Sequence, residues 1–279
     1  MLALLTLLAS PAFAADIDPA PVVAAERAFA ADGAAMGVRD SFVKHSVPDA
    51  VMIAAEPTTV SALYGARPPG KPKDEPLLAW WPAFAGMSRS GDFGFTTGPV
   101  EIGGRRTGHY FTVWKRQPDG AWKWIYDGGT NAPSAGEPPA SVDPALLPAA
   151  AGHAASPKAA WDEVAAAEAA LARDAAADHR AAMTARLAEG ARLYVPKQPP
   201  ARSPEGYASA LAAAPAKIAF TPLGGEAAPG ADLVWTYGRA VSDAGTGHYV
   251  HVWQRREPGW KLVFAQVIPP PPPPKPPQS

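Results

Sequence analysis

A ten-residue stretch of this chain occurs twice. Thr107-Gly108-His109-Tyr110-Phe111-Thr112-Val113-Trp114-Lys115-Arg116 returns 139 residues later as Thr246-Gly247-His248-Tyr249-Val250-His251-Val252-Trp253-Gln254-Arg255. Flanking blocks keep the same order: 79–82 answers to 219–222, 92–98 to 232–238 and 122–126 to 260–264, at offsets of 138 to 140. Near the start of each copy, Glu26, Phe29 and Asp32 answer to Glu168, Leu171 and Asp174, 142 residues on. Five collinear blocks with so little drift imply two copies of one unit, differing by short loop insertions. A period of about 140 residues far exceeds the roughly 20–50 of solenoid repeats, so each unit is a globular domain.

The length of 279 residues suits two domains, and a formal net charge of −1 gives no electrostatic footprint for nucleic acid or an anionic membrane. Residues 1–14, MLALLTLLASPAFA, form an apolar run closed by the small-x-small pattern Ala12-Phe13-Ala14. This reads as a secretory signal, too short to span a bilayer, and places the mature protein in the periplasm or outside the cell. The chain has no cysteine, which excludes disulfides, thiolate chemistry and a lipidated cysteine.

Periodicity predicts a helix over 22–43 with Val22, Ala25, Phe29 and Met36 on one stripe. A short strand over 50–54, a Pro/Gly/Lys loop over 57–75, and strands over 77–84, 93–102, 108–115 and 122–127 follow, with a turn at Gln117-Pro118-Asp119-Gly120. The first domain spans 20–131. Residues 132–157 are rich in Pro, Ala and Gly and read as a linker. The second domain, 158–268, repeats the order: an alanine-rich helix over 159–188, then strands near 191–195, 217–222, 232–241, 247–255 and 260–268. Residues 269–279 form a proline-rich tail that ends it.

The fold class is therefore α+β. The element order, the Gly-His-Tyr-x-x-Val-Trp strand, the Asp-Gly-x-Trp-Lys hairpin and the Gly91–Gly98 block resemble the nuclear transport factor 2-like superfamily, near its ketosteroid-isomerase and polyketide-cyclase branches. The resemblance implies two tandem cone-shaped domains, each a curved antiparallel sheet wrapped around a long N-terminal helix, with an apolar pocket between helix and sheet. It does not imply one activity, because enzymes, binding modules and scaffolds share that fold.

Strand alternation puts His109, Phe111 and Val113 on one face and Tyr110, Thr112 and Trp114 on the other. Both faces are largely apolar, so both need cover. The domain's own helix covers one, and the sister domain is the expected cover for the other, as an internal pseudo-dimer. Which face is concave is open at this stage.

His109 and Asp127 are the candidate catalytic residues. A histidine in an apolar pocket suits a general base or proton shuttle, and a carboxylate at a pocket mouth suits proton abstraction. The alternative for His109 is a structural slot, since both copies keep Gly-His-Tyr; Asp127 also heads an ordinary strand-ending turn. Tyr64, Trp80, Trp81, Tyr110, Tyr126, His248 and Tyr249 are candidate pocket wall. No metal-ligand spacing is present, and His248 and His251 point to opposite faces. The stretch Gly65-x4-Gly70-Lys71-Pro72 approaches a phosphate-binding loop, but Pro72 replaces the required hydroxyl residue and Pro68 and Pro69 lack backbone donors. No cofactor is expected. The expected function is an exported, non-catalytic tandem module binding a small apolar molecule or a protein. The alternative is an isomerase or lyase working by acid/base chemistry in the first pocket.

Overall fold

The computed structural model describes residues 17–54, 56–74, 76–131 and 136–269. The signal expected over 1–14 and the proline tail beyond residue 269 lie outside the described residues.

The chain opens with α1 (Ala20–Met36) and α2 (Val38–His45), where periodicity suggested one continuous helix. The break falls at Gly37, whose φ of 89° lies in the left-handed region that glycine enters without strain. Helix α1 buries Val22, Val23, Glu26, Phe29 and Gly33 along one face. Trp80 lies directly on Gly33: a Cβ there would come within 2.7 Å of its ring.

Next come β1 (Ser46–Ile53), β2 (Pro57–Thr59) and the short α3 (Val60–Tyr64). The single strand expected over 77–84 is two, β3 (Leu78–Trp80) and β4 (Phe84–Met87). Pro82 between them has no N–H to carry a ladder through. The meander β5 (Phe93–Ile102), β6 (Arg105–Arg116) and β7 (Trp122–Thr130) follows, and the β6–β7 turn closes with Gly120 N donating to Gln117 O at 2.9 Å. The Pro/Ala-rich connection is woven into the fold. It adds β8 (Ala145–Leu146) in parallel beside β4 and buries Leu147 and Ala154. The first sheet runs β2-β1-β7-β6-β5-β4-β8, with β3 also paired to β5.

The second half contains α4 (Pro157–Thr184), β9 (Leu187–Tyr194), α5 (Pro204–Ala213), β10 (Ala219–Ala227), β11 (Leu233–Ser242), β12 (Gly245–Arg256) and β13 (Gly259–Ile268). Its sheet runs β10-β11-β12-β13-β9, with β9 parallel to β13 as β1 is parallel to β7. Helix α4 kinks at Asp178, whose carboxylate accepts from Ala181 N at 3.0 Å and caps the segment that follows. This break and the one at Gly37 fall at corresponding places in the two halves.

The structure decides the faces that sequence left open. On β6, Tyr110, Thr112 and Trp114 face α1, where Trp114 Nε1 donates to Glu26 at 2.9 Å. The opposite face meets the second sheet, and Phe111 stacks on Phe264 with ring centroids 4.1 Å apart. On β12, Trp253 Nε1 donates to Glu168 of α4 at 2.6 Å, while Val250 and Val252 lie in the shared core. Both sheet faces are therefore covered, one by helix and one by the other sheet. Truncating an aromatic such as Phe111 in such a core costs about 3–5 kcal/mol.

Candidate functional site

The helix side of the first sheet carries two buried carboxylates. Glu26 projects from α1 and is fully saturated. Its Oε1 accepts from Trp80 Nε1 at 2.6 Å, and its Oε2 accepts from Thr96 Oγ1 at 2.5 Å and Trp114 Nε1 at 2.9 Å. Burial pushes its carboxyl up, and these donors only partly offset that. Around it Phe29, Phe42, Trp80, Trp114 and Trp124 pack ring against ring.

Asp127, on β7, lies opposite Thr112 on β6, whose Oγ1 donates to Asp127 Oδ2 at 2.8 Å. Burial, and then the nearby charge of Glu26, hold its carboxyl well above the usual carboxylate range. This environment favours the neutral acid. Two phenols share it. Tyr64 is raised by burial and then by the charge of Asp127, with Arg67 opposing. Tyr110 is raised well above its ordinary value by burial and then by Glu26. Asp127 thus has two phenols, Tyr64 and Tyr110, among its electrostatic neighbours, and the Tyr110 hydroxyl is buried without a hydrogen-bond partner.

The structure does not bring His109 to this set. His109 lies three residues before Thr112, an odd step that turns its side chain through the sheet, and Asp127 is the cross-strand partner of Thr112. A site combining His109 with Asp127 is therefore replaced by two separate environments. His109 faces the second sheet, its ring 4.6 Å from that of Tyr194 and its Nε2 3.5 Å from Glu137 Oε1. Arg202 completes that cluster at 2.6 Å from Glu137. Burial pushes Glu137 up, but the neighbouring His109 and the charge of Arg202 outweigh it and hold the carboxyl below its ordinary value.

The expected pocket wall divides in the same way. Tyr64, Trp80 and Tyr110 converge on the helix side of the first half. Tyr126 lies on the opposite sheet face, 5.1 Å from Trp235, because it alternates with Asp127 along β7. Trp81 turns away from Trp80 and donates to Pro138 O at 2.9 Å. His248 sits 3.4 Å from Glu56, and Tyr249 is buried in the second half, 4.9 Å from Phe220. The seven residues are thus divided between the helix side of the first half, the face between the sheets and the second half.

Glu168 of α4 stands where Glu26 stands in α1. It accepts from Thr236 Oγ1 at 2.6 Å and from Trp253 Nε1 at 2.6 Å, and His251 Nδ1 lies 2.9 Å away. Burial again pushes the carboxyl up, but His251 and the hydrogen bonds outweigh it, and Glu168 is held below its ordinary value. Across the ladder from His251 lies Ala265, in the place of Asp127. His179, just past the kink of α4, is pushed down to about 4, by burial first.

Sequence reasoning noted Glu26 and Glu168 as repeat matches and overlooked them as centres of each half. The signal was a carboxylate on the apolar stripe Val22, Glu26, Phe29, Gly33. Beside the first site, an open groove of about 470 Å³ runs between α2 and the loop after α3, with Tyr64 in its wall. Among the described residues, no group of three His, Asp or Glu side chains is arranged to hold a metal ion. No described helix is long and apolar enough to cross a membrane.

No protein-family model matches the chain, and no curated protein matches it. Solved structures do. A nuclear transport factor 2-like protein of unknown function from Pseudomonas putida KT2440 matches with 11% identity and a TM-score of 0.34, over 42% of this chain and 89% of that one. A nuclear transport factor 2-like protein from Cytophaga hutchinsonii matches with 14% identity and a TM-score of 0.32, over 39% and 97%. A cystatin-like fold protein from Burkholderia xenovorans matches with 22% identity and a TM-score of 0.31, over 40% and 94%. The chain is thus similar, over about 40% of its length, to nuclear transport factor 2-like and cystatin-like proteins.

Proposed function

We propose that this is an exported tandem of two nuclear transport factor 2-like units, paired sheet to sheet as an internal pseudo-dimer, whose first unit binds a small molecule. One observation carries the reading. Asp127 is a buried carboxylate with one protein donor, and its counterpart in the second half is Ala265. A buried acid without a cation destabilises a fold. Glu26 and Glu168, by contrast, occur in both halves, each among several donors, as a folding role requires. Asp127 lacks that set of donors, and its neighbours Thr112, Tyr64 and Tyr110 carry hydroxyls of the kind that recognise a ligand oxygen. The surrounding aromatic side chains suit an apolar body carrying a carbonyl. The second half acts as a supporting unit.

The test is native mass spectrometry of gently purified protein beside Asp127→Ala. A small molecule retained by the wild type and lost from the variant supports the reading. Equal retention, or none in either, overturns it.

A second reading is favoured by the raised carboxyl of Asp127, which suits a general acid. An isomerase or lyase of that kind would lose rate as pH rises through the Asp127 ionisation, and Asp127→Asn would abolish turnover with the fold intact. Turnover that stays unchanged in Asp127→Asn would remove this reading.

A further inference from the structure

The two histidines of the repeated Gly-His-Tyr stretch occupy matching places, His109 opposite Thr130 at the end of β7 and His248 opposite Ile268 at the end of β13. Each faces a glutamate that is paired with an arginine. His248 Nε2 lies 3.4 Å from Glu56, which Arg239 meets at 3.2 Å. His109 Nε2 lies 3.5 Å from Glu137, which Arg202 meets at 2.6 Å. The sources of the carboxylates differ. Glu56 belongs to the loop after β1 of the other half, and its side chain is 60% exposed. Across from His109 the other half offers cations instead, Arg192 on β9 and Arg202 in the loop after it. The carboxylate there comes from the connecting segment, and the Glu137 side chain is only 3% exposed.

Glu137 leaves this place under-used. Both contacts fall on one of its oxygens, Oε1. The approach of His109 is not a hydrogen bond: both ring nitrogens are buried without a partner, as is Arg202 Nε. Arg192 has Tyr194, Arg202 and Glu137 as electrostatic neighbours. Its Nη1 nonetheless donates to a carbonyl, Gly190 O, at 3.0 Å, its guanidinium lies 4.3 Å over the Phe84 ring, and it pairs with no carboxylate among the described residues. The Tyr194 ring lies 4.6 Å from that of His109. Gln266, the ladder partner of Tyr194, is fully buried with both amide atoms unpartnered. Two guanidinium groups thus stand near a single carboxylate.

We infer that this junction is a binding site for a small-molecule carboxylate, and that Glu137 occupies it as a built-in competitor. A free carboxylate offers both oxygens to Arg202, in the planar fork that a guanidinium matches. Exchange replaces one carboxylate by another, so the cations keep a counter-charge throughout. The site lies on the opposite face of the first sheet from Asp127, and it stands or falls apart from the reading above.

The experiment is a set of thermal melts and NMR titrations on the full chain. Glu137→Ala is compared with the wild type, with acetate, acetamide and chloride added at equal concentration. Removing Glu137 leaves buried cations without their counter-charge, so the variant should melt lower. Acetate should restore most of that loss, while acetamide, its neutral analogue, and chloride should not. In the titrations acetate should move the Arg202 Nε–H and Gln266 amide signals. It should bind the wild type about tenfold or more weakly than the variant, because tethered Glu137 competes at an effective concentration in the millimolar range. Adding Arg202→Gln to the variant should weaken acetate by about tenfold, the loss of a charge-assisted contact. No rescue, equal rescue by acetamide or chloride, an acetate affinity unmoved by Arg202→Gln, or equal affinity in wild type and variant would overturn the inference. Should Glu137→Ala fail to fold, the wild type carries the test. Concentrated acetate, against equal chloride, must then move the Arg202 Nε–H signal, and a signal that stays in place overturns the site.

Discussion

Glu26 and Glu168 occupy corresponding turns of corresponding helices, and each accepts hydrogen bonds from a tryptophan and a threonine. Their ionisation nonetheless shifts in opposite directions, because the neighbours differ at two linked positions. The first half has Thr112 and Asp127; the second has His251 and Ala265 in their places. Burial raises both carboxyls of the first half, with the charge of Glu26 adding to the rise at Asp127, whereas His251 and the hydrogen bonds outweigh burial and lower Glu168 in the second. One scaffold position thus becomes an acid-retaining site in one half and an ion-paired core in the other. The difference separates the shared glutamates, which hold helix to sheet, from the unshared aspartate, which is the residue we propose meets a ligand.

The pH consequences have opposite signs. A carboxyl raised in the folded state binds its proton more tightly there, so Asp127 and Glu26 contribute stability that falls as pH rises above the unfolded carboxylate range. Glu168, lowered in the folded state, contributes stability present above the unfolded value and lost as pH falls through the folded one.

The comparison breaks most visibly if the shared glutamates are not structural. Glu26→Ala strands Trp80, Trp114 and Thr96, and Glu168→Ala strands Thr236, Trp253 and His251. Each should lose about 3–5 kcal/mol in chemical denaturation. A loss under about 1 kcal/mol in either would refute the shared role. Next in size is His179, which folding holds neutral. Below pH 6.5 the unfolded chain protonates this residue first, so stability falls from 6.5 down to about 4, by on the order of 3 kcal/mol at most. Thermal melts of His179→Gln should flatten in that window, and an unchanged profile would contradict the assignment. Asp127→Asn should stabilise the protein by about 1–2 kcal/mol at neutral pH and leave it unchanged near pH 3, where both states hold the proton. Destabilisation at neutral pH would make Asp127 structural. The smallest effect belongs to Lys115 and Glu226, which pair across the halves at 2.5 Å while each stays more than a third exposed. Lys115→Met should stay within about 0.5 kcal/mol of the wild type, as exposed pairs do.

Much of the fold was legible because strand alternation and the repeated blocks carry it. The β5–β6–β7 and β11–β12–β13 meanders lie where the sequence pattern places them. The break at Gly37 was written in a single glycine inside an otherwise helical stripe, which periodicity alone passes over. The role of the 136–156 segment was hidden because proline and alanine look alike in a linker and in an ordered crossing segment; its burial of Leu147 and Ala154 depends on partners far along the chain. The site was half legible. Asp127 was singled out as a strand-ending residue, whereas β7 carries on to Thr130, and its separation from His109 needed the register of β6 against β7. Glu26 was visible as a charge on an apolar stripe and was overlooked. Its meaning lies in Trp80, Thr96 and Trp114, which sequence distance keeps apart.

The most direct test of this account is a carbon-13 NMR titration that follows the carboxyl signals of Asp127 and Glu168 in the same sample. The account predicts that Asp127 keeps its proton well above the ordinary carboxylate range, while Glu168 is already ionised below it. If the two carboxyls ionise together in the ordinary range, the contrast between the halves disappears, and with it the case for a ligand at Asp127.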